Sequence, residues 1–72
     1  MKEVKIHTPE IKLSQFLKWA ELVQTGGEAK QLIREGKVKL NGEVVNVPGK
    51  KLFPGDLIEV EGEKEVKITG DG

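Results

Sequence analysis

The chain has no cysteine, which excludes a disulfide framework, a thiolate metal site and a cysteine nucleophile. That composition fits a reducing compartment, and a cytoplasmic location is the expectation. No apolar run approaches the length of a signal-peptide core or a membrane span, and the charged stretch from Met1 to Lys5 leads straight into a strand pattern. The reading is of a soluble protein without a membrane partner. Histidine occurs once, at His7 beside the Thr8-Pro9 turn, with no Cys, His or carboxylate at ligand spacing, so it reads as a solvated or locally hydrogen-bonded side chain. A Ser/His/Asp arrangement is missing, and Gly26-Gly27-Glu28-Ala29-Lys30 has the wrong glycine spacing for a Walker loop. No catalytic residue, metal or cofactor is therefore expected. Repeats, linkers and low-complexity segments are absent too, and 72 residues make one small domain, 1–72, that buries only about 60% of its unfolded surface.

Net charge is also lacking: the formal total is zero. Its distribution is uneven, however. Ile11 to Gly55 holds eight Lys or Arg against four Asp or Glu, whereas Asp56 to Gly72 holds two against six. Since charges separated by more than about 8 Å are screened at physiological salt, a polyanion responds to the local basic patch more than to the sum.

The stretch from Gln24 to Glu43 carries the clearest organisation. Gly26 and Gly27 break what precedes them, and Glu28 to Glu35 places Ala29, Leu32 and Ile33 at the i, i+3, i+4 spacing of one helix face. Gly36 closes that helix where a left-handed residue is needed. Val38 and Leu40 alternate with Lys37 and Lys39, and Asn41-Gly42 is the signal of a two-residue hairpin turn. At about 100° per residue, Lys30, Arg34 and Lys37 share a narrow sector if the helical phase continues that far, with Glu28, Gln31 and Glu35 on the other flank. Charges sorted in this way suggest a surface that meets phosphates. The acidic C-terminal segment is then expected to sit away from Lys12, Lys30, Arg34 and Lys37.

Around this stretch the chain alternates short elements. Val4 and Ile6 form a strand before the turn at Thr8-Pro9. Leu13, Phe16, Leu17 and Ala20 make a second helical stripe, with Ser14 as cap, Leu13 stapling behind it and an end expected near Leu22 to Gln24. Trp19 falls off the centre of that stripe, where it either covers the edge of the core or offers a stacking platform to an exposed base. Val44, Val45 and Val47 return as a strand until Pro48-Gly49, leaving Lys50 and Lys51 in a loop. Pro54-Gly55-Asp56 is a tight turn, Leu57 to Glu61 alternates, Gly62 interrupts, and Val66 to Ile68 closes a final hairpin. The expected fold class is α+β: two short packed helices against a small, mostly antiparallel sheet of about four to five strands.

The run from Lys12-Leu13 through Thr25, Ala29-Lys30, Leu32-Ile33, Gly36-Lys37-Val38 and Asn41-Gly42 to Gly55-Asp56-Leu57-Ile58 resembles the S-four-type RNA-binding domain, the αL RNA-binding motif. The resemblance covers roughly Ile11 to Val60 and is similar to small stand-alone bacterial members without a catalytic domain. It implies a non-enzymatic module that docks its helices and following strand on structured RNA, ribosomal or tRNA-like, with the ribosome itself among the expected partners, and that acts as a monomer. It also implies RNA contacts at Lys12, Thr25, Lys30, Lys37 and Lys39; the sorted charges add Arg34 to the candidate RNA-binding residues, the start of the second helix adds Gly26, and the loop after Pro48-Gly49 adds Lys50 and Lys51. Thr25 stands at the family's hydroxyl before the second helix, where free N–H groups suit a phosphate. Three positions depart from the pattern: Ser14 replaces a frequent aspartate, Gly26 a usual arginine, and Glu21 a base found in one relative. The missing cations imply modest affinity or help from a partner protein.

Two other functions fit less of the chain. The basic flank could be the solvated face of a protein-interaction module. A β-grasp sulfur carrier shares the late Gly-Asp-x-Ile-x-Val strand, but such carriers work through a C-terminal glycine pair, and here Gly70-Asp71-Gly72 breaks it.

Overall fold

The computed structural model describes residues 2–61 and 64–70. Met1, Gly62, Asp71 and Gly72, which figure in the expectations above, lie outside them. Seven strands and two helices follow in the order β1 (Lys2–Lys5), β2 (Ile11–Lys12), α1 (Leu13–Trp19), α2 (Gly26–Arg34), β3 (Val38–Leu40), β4 (Glu43–Val44), β5 (Lys51–Leu52), β6 (Leu57–Val60) and β7 (Lys64–Thr69).

Five strands form one sheet in the order β1-β7-β6-β3-β4, and β2 with β5 forms a separate two-stranded ribbon. The fold is α+β, as the alternation implied. Antiparallel pairs join β3 to β4, β3 to β6 and β6 to β7. The exception is β1, which lies parallel to β7 with Val4 opposite Ile68. Because side chains alternate across a strand, Val38, Ile58, Val60, Val66 and Ile68 fall on one face and are buried, while Lys39, Glu65 and Lys67 point away. The buried residues of the helices, Leu13, Phe16, Leu17, Ala29 and Ile33, complete a single core with them. Burying each large apolar side chain contributes about 1.5–3 kcal/mol.

Four local expectations are corrected. Helix α1 stops at Trp19, not near Leu22 to Gln24. Glu21 takes the left-handed conformation, φ 59°, so that its N–H reaches Lys18 O at 3.1 Å and the Leu22 N–H reaches Leu17 O at 2.9 Å. That is the Schellman geometry, built on a residue other than glycine, and it turns Val23 back into the core.

Ser14 does not cap α1. Lys12 occupies the cap position without a side-chain bond, and the first N–H groups of the helix are satisfied by backbone carbonyls from afar: Leu13 N–H donates to Lys50 O at 2.8 Å and Ser14 N–H to Pro48 O at 3.1 Å. Leu13 is the first helical residue and is fully buried.

The valine run does not continue as a strand to Pro48. Pairing ends at Val44, with one more bond from Val45 N–H to Val38 O at 3.0 Å. The chain then crosses to α1 to supply those carbonyls, which leaves Val44 and Val47 exposed. Lys51 is likewise not in a loop, because it belongs to β5 and stands opposite Lys12 of β2.

Candidate nucleic-acid interface

Helix α2 is started and stopped by its own sequence. Thr25 is extended (φ −136°, ψ 160°) and its hydroxyl accepts the Glu28 N–H at 3.1 Å, a hydroxyl N-cap with Glu three positions on. Gly26 and Gly27 thus form the first turn of the helix rather than a break before it. At the other end Gly36 (φ 74°) and Lys37 complete a Schellman motif, with Gly36 N–H to Ile33 O and Lys37 N–H to Leu32 O, both 3.1 Å. Ala29 and Ile33 are fully buried and fix the helix's rotation.

That rotation sends Lys30 and Arg34, one turn apart, to solvent. Together with Gly27, Gln31 and Glu35 they line a shallow hollow along the helix. Neither cation has an ion-pair partner among the described residues. The polar flank that the periodicity set apart borders them directly: Gln31 Nε2 donates to Glu35 Oε2 at 3.4 Å. Gln31 is therefore a lining residue of the hollow that charge sorting overlooked. At the N-terminal end of the hollow, the first-turn N–H groups of α2 and the positive end of its dipole favour an anion. The Thr25 hydroxyl, already an acceptor to Glu28, keeps its own proton for donation.

Lys37 does not extend this flank along the helix, because α2 has ended at Arg34. Its Nζ sits 3.3 Å from carboxylates of both Glu35 and Glu61. Hydrogen bonding to Glu61 first, and to Glu35, raises its pKa above the ordinary value, and the two carboxylates partly offset its charge. Lys39, exposed on β3, faces Glu59 across the β6 pairing. The acidic C-terminal segment therefore runs beside the β3 cations rather than standing away from Lys37, as its charge alone implied.

The other candidate contact cations, Lys12, Lys50 and Lys51, gather at the start of α1. Lys12 and Lys51 are register partners in the ribbon, and the Lys50 carbonyl receives the Leu13 N–H. Lys51 Nζ lies 3.5 Å from Glu10, whereas Lys12 and Lys50 have no ion pair among the described residues. Lys50 also borders a second hollow with Leu40, Glu43, Val44, Val45, Asn46 and Val47. Partners such as Glu61 and Glu10 come from distant segments, and no local pattern in the sequence marks them.

Trp19 is not part of the core. It is 52% exposed, and its Nε1 donates to Lys5 O at 3.0 Å. The His7 ring stands perpendicular to it with centroids 6.2 Å apart. Among the described residues no cluster of three or more His, Cys, Asp or Glu could hold a metal, and no helix is long and apolar enough to cross a membrane.

Residues 4–69 match the family model of the S4 domain. The chain is 46% identical over 59 residues to "Probable ribosome maturation protein RlbA" of Bacillus subtilis, covering 82% of this chain and 83% of that one. It is 36% identical over 66 residues to small ribosomal subunit protein uS4 of an Anaeromyxobacter strain, where 89% of this chain matches 32% of that protein. Among solved structures, Vibrio cholerae heat shock protein 15 superimposes with a TM-score of 0.67 at 30% identity, over 78% of this chain and 57% of that one. Sequence, fold and relatives agree, and the chain belongs to the S4-domain family.

Proposed function

We propose that this chain is a non-catalytic module that binds structured RNA, ribosomal RNA in particular, by laying the exposed side of α2 against the phosphate backbone. The observation that carries the reading is the pair Lys30 and Arg34, held one turn apart by a helix whose opposite face is buried, and free of ion pairs among the described residues. Thr25 and the glycine turn supply neutral donors at the end of the same hollow. Lys12 and Lys50 add a second basic group at the start of α1, while Lys37 and Lys39 contribute less because carboxylates stand beside them. Two relatives point to the ribosome by name, one as a maturation protein and one as a small-subunit component. The test is an electromobility titration with structured ribosomal RNA at low and high salt, comparing the parent with Lys30→Ala/Arg34→Ala. The double variant should bind more weakly with an unchanged circular dichroism spectrum, and the slope of log affinity against log salt should flatten by roughly 0.7–0.9 for each phosphate no longer engaged. Equal binding by parent and variant would place the RNA on another face.

A further inference from the structure

We propose that the exposed indole of Trp19, at the end of α1, is a stacking platform for an unpaired nucleobase. This rests on the RNA-binding reading and extends it to a single-stranded nucleotide. Trp19 is the last residue of α1 and shows 52% of its surface. An indole serving only the core would be turned inward, and one left loose would gain nothing from a fixed orientation. This one is held. Its Nε1 donates to the Lys5 carbonyl at the end of β1 at 3.0 Å, which satisfies the ring's single donor and fixes its direction. The perpendicular His7 ring, 6.2 Å away, can cover at most one indole face. A flat aromatic surface already immobilised gives up little entropy when a planar ligand settles on it.

The surroundings favour a nucleotide over a protein partner. Exposed Lys18 precedes Trp19 in the last turn of α1, and the backbone of Lys5 supplies the carbonyl that anchors the ring, so the segments that hold the indole carry basic residues. Val44, another exposed large apolar residue, lies in β4, at the opposite edge of the sheet from β1, and does not join Trp19 in an apolar patch. Every base has a π-face, so stacking on such a ring tolerates any sequence but requires that the base be unpaired. In sheet order β1 stands three strands from β3, roughly 14 Å at the usual strand spacing. The base on Trp19 is thus not the nucleotide whose phosphate reaches Lys39 of β3, and the preferred ligand is structured RNA with a single-stranded extension.

The chain has one tryptophan and no tyrosine, so its emission reports this site alone. The experiment uses a fluorescently end-labelled RNA hairpin, blunt or carrying a short single-stranded adenosine overhang. Anisotropy measures binding and tryptophan emission measures stacking, for the parent, Trp19→Phe and Trp19→Ala, each checked for an unchanged thermal melt. The overhang should quench the parent's emission where the blunt hairpin does not. Trp19→Ala should bind the overhang RNA about ten-fold more weakly, in the range for removal of one base–aromatic stack, and the blunt RNA equally. Trp19→Phe, which keeps a ring, should retain most of the affinity. Binding of the overhang RNA with unchanged emission, or an equal weakening for both RNAs in Trp19→Ala, overturns the stacking inference and leaves the RNA-binding reading standing. If neither RNA binds at low salt, the RNA-binding reading itself fails. Should Trp19→Ala lose ribosome cosedimentation but no RNA affinity, the indole is a protein contact instead.

Discussion

Asn41 and Asp56, fifteen residues apart, tie two turns together: Asn41 Nδ2 donates to Asp56 Oδ1 at 3.2 Å. The other oxygen of Asp56 accepts the Phe53 N–H at 2.8 Å, closing the turn through Pro54 and Gly55. Asn41 Oδ1 in turn accepts the Leu57 N–H at 2.9 Å, and the Asn41 N–H donates to Leu57 O at 2.8 Å. One amide thus fixes the β3–β4 turn against the entry of β6. Asn41→Asp keeps the shape and tolerates positive φ, but it replaces a donor by a second carboxylate facing Asp56. The expected cost is about 1–2 kcal/mol at neutral pH, read as a lowered urea midpoint, and it should shrink at high salt, which screens the repulsion. A salt-independent cost would mean that geometry rather than charge repulsion is responsible.

The hairpin turn itself depends on backbone conformation. Asn41 and Gly42 both have positive φ, 52° and 88°, as a two-residue hairpin connection requires. A Cβ at Gly42 would meet nothing within 4 Å, so any cost of Gly42→Val is conformational strain, about 1–2 kcal/mol. Gly49 also faces open space but does not have a left-handed φ, and Gly49→Ala should leave stability equal or slightly higher. Thermal melts of the two variants side by side separate strain from crowding, and equal behaviour would refute the distinction.

These elements were legible in the sequence because their determinants are local. Thr25 with Glu28, Gly36 after Arg34, and Asn41-Gly42 each act within a few residues, and α2 and its hairpin lie close to where the pattern put them. Where α1 departs from the pattern, the cause is nonlocal or unsignalled. Its early stop uses Glu21 in a conformation usually reserved for glycine, and its N-terminal bonds come from Pro48 and Lys50. The parallel β1–β7 pair and the β2–β5 ribbon join segments far apart in the chain, which periodicity cannot pair. For the basic surface, sequence spacing grouped Lys30 with Arg34 correctly but could not see that Glu61 would claim Lys37.

The Lys37 ion pairs make an alkaline signature. Glu61 and Glu35 raise the Lys37 pKa above its ordinary 10.5, so the folded protein holds that proton more tightly than the unfolded chain. The resulting stabilisation is fully present below pH 10.5 and is lost as pH rises through the higher folded-state value. Lys37→Met should abolish this part of the alkaline decline while differing from the parent by a constant small offset near neutrality. Parallel decline of parent and variant in urea melts across that range would show that the pairs are too solvated to count.

Glu61 also limits what Lys37 can offer a phosphate. Glu61→Gln removes one of the two carboxylates within 3.3 Å of Lys37 Nζ and takes away negative charge that repels RNA. Affinity for structured RNA should rise at low salt, with a salt slope steeper by up to about 0.9 if Lys37 then engages a phosphate. Reduced affinity would instead make the acidic edge a contact surface and favour a basic protein partner.

The N-terminus of α2 offers a gain-of-function test at Gly26. The family resemblance implies arginine at this position, and the structure leaves room for one: a Cβ on Gly26 meets nothing within 4 Å, and its φ is not left-handed. Exchanging a helical glycine for arginine favours the helix by up to about 1 kcal/mol, partly offset by about 0.3–1 kcal/mol for a cation at the positive end of the dipole. Stability should therefore change little. The new guanidinium would stand beside the Thr25 hydroxyl and the free N–H groups of the first turn, where it can hold a phosphate through two parallel hydrogen bonds. If RNA lies along α2, Gly26→Arg should tighten binding and steepen the salt slope by about 0.7–0.9, and combining it with Lys30→Ala/Arg34→Ala should restore part of the missing affinity. An unchanged salt slope in a folded Gly26→Arg protein would mean that the start of α2 does not meet the backbone, and the phosphate path would have to run through Lys12 and Lys50 at the start of α1 instead.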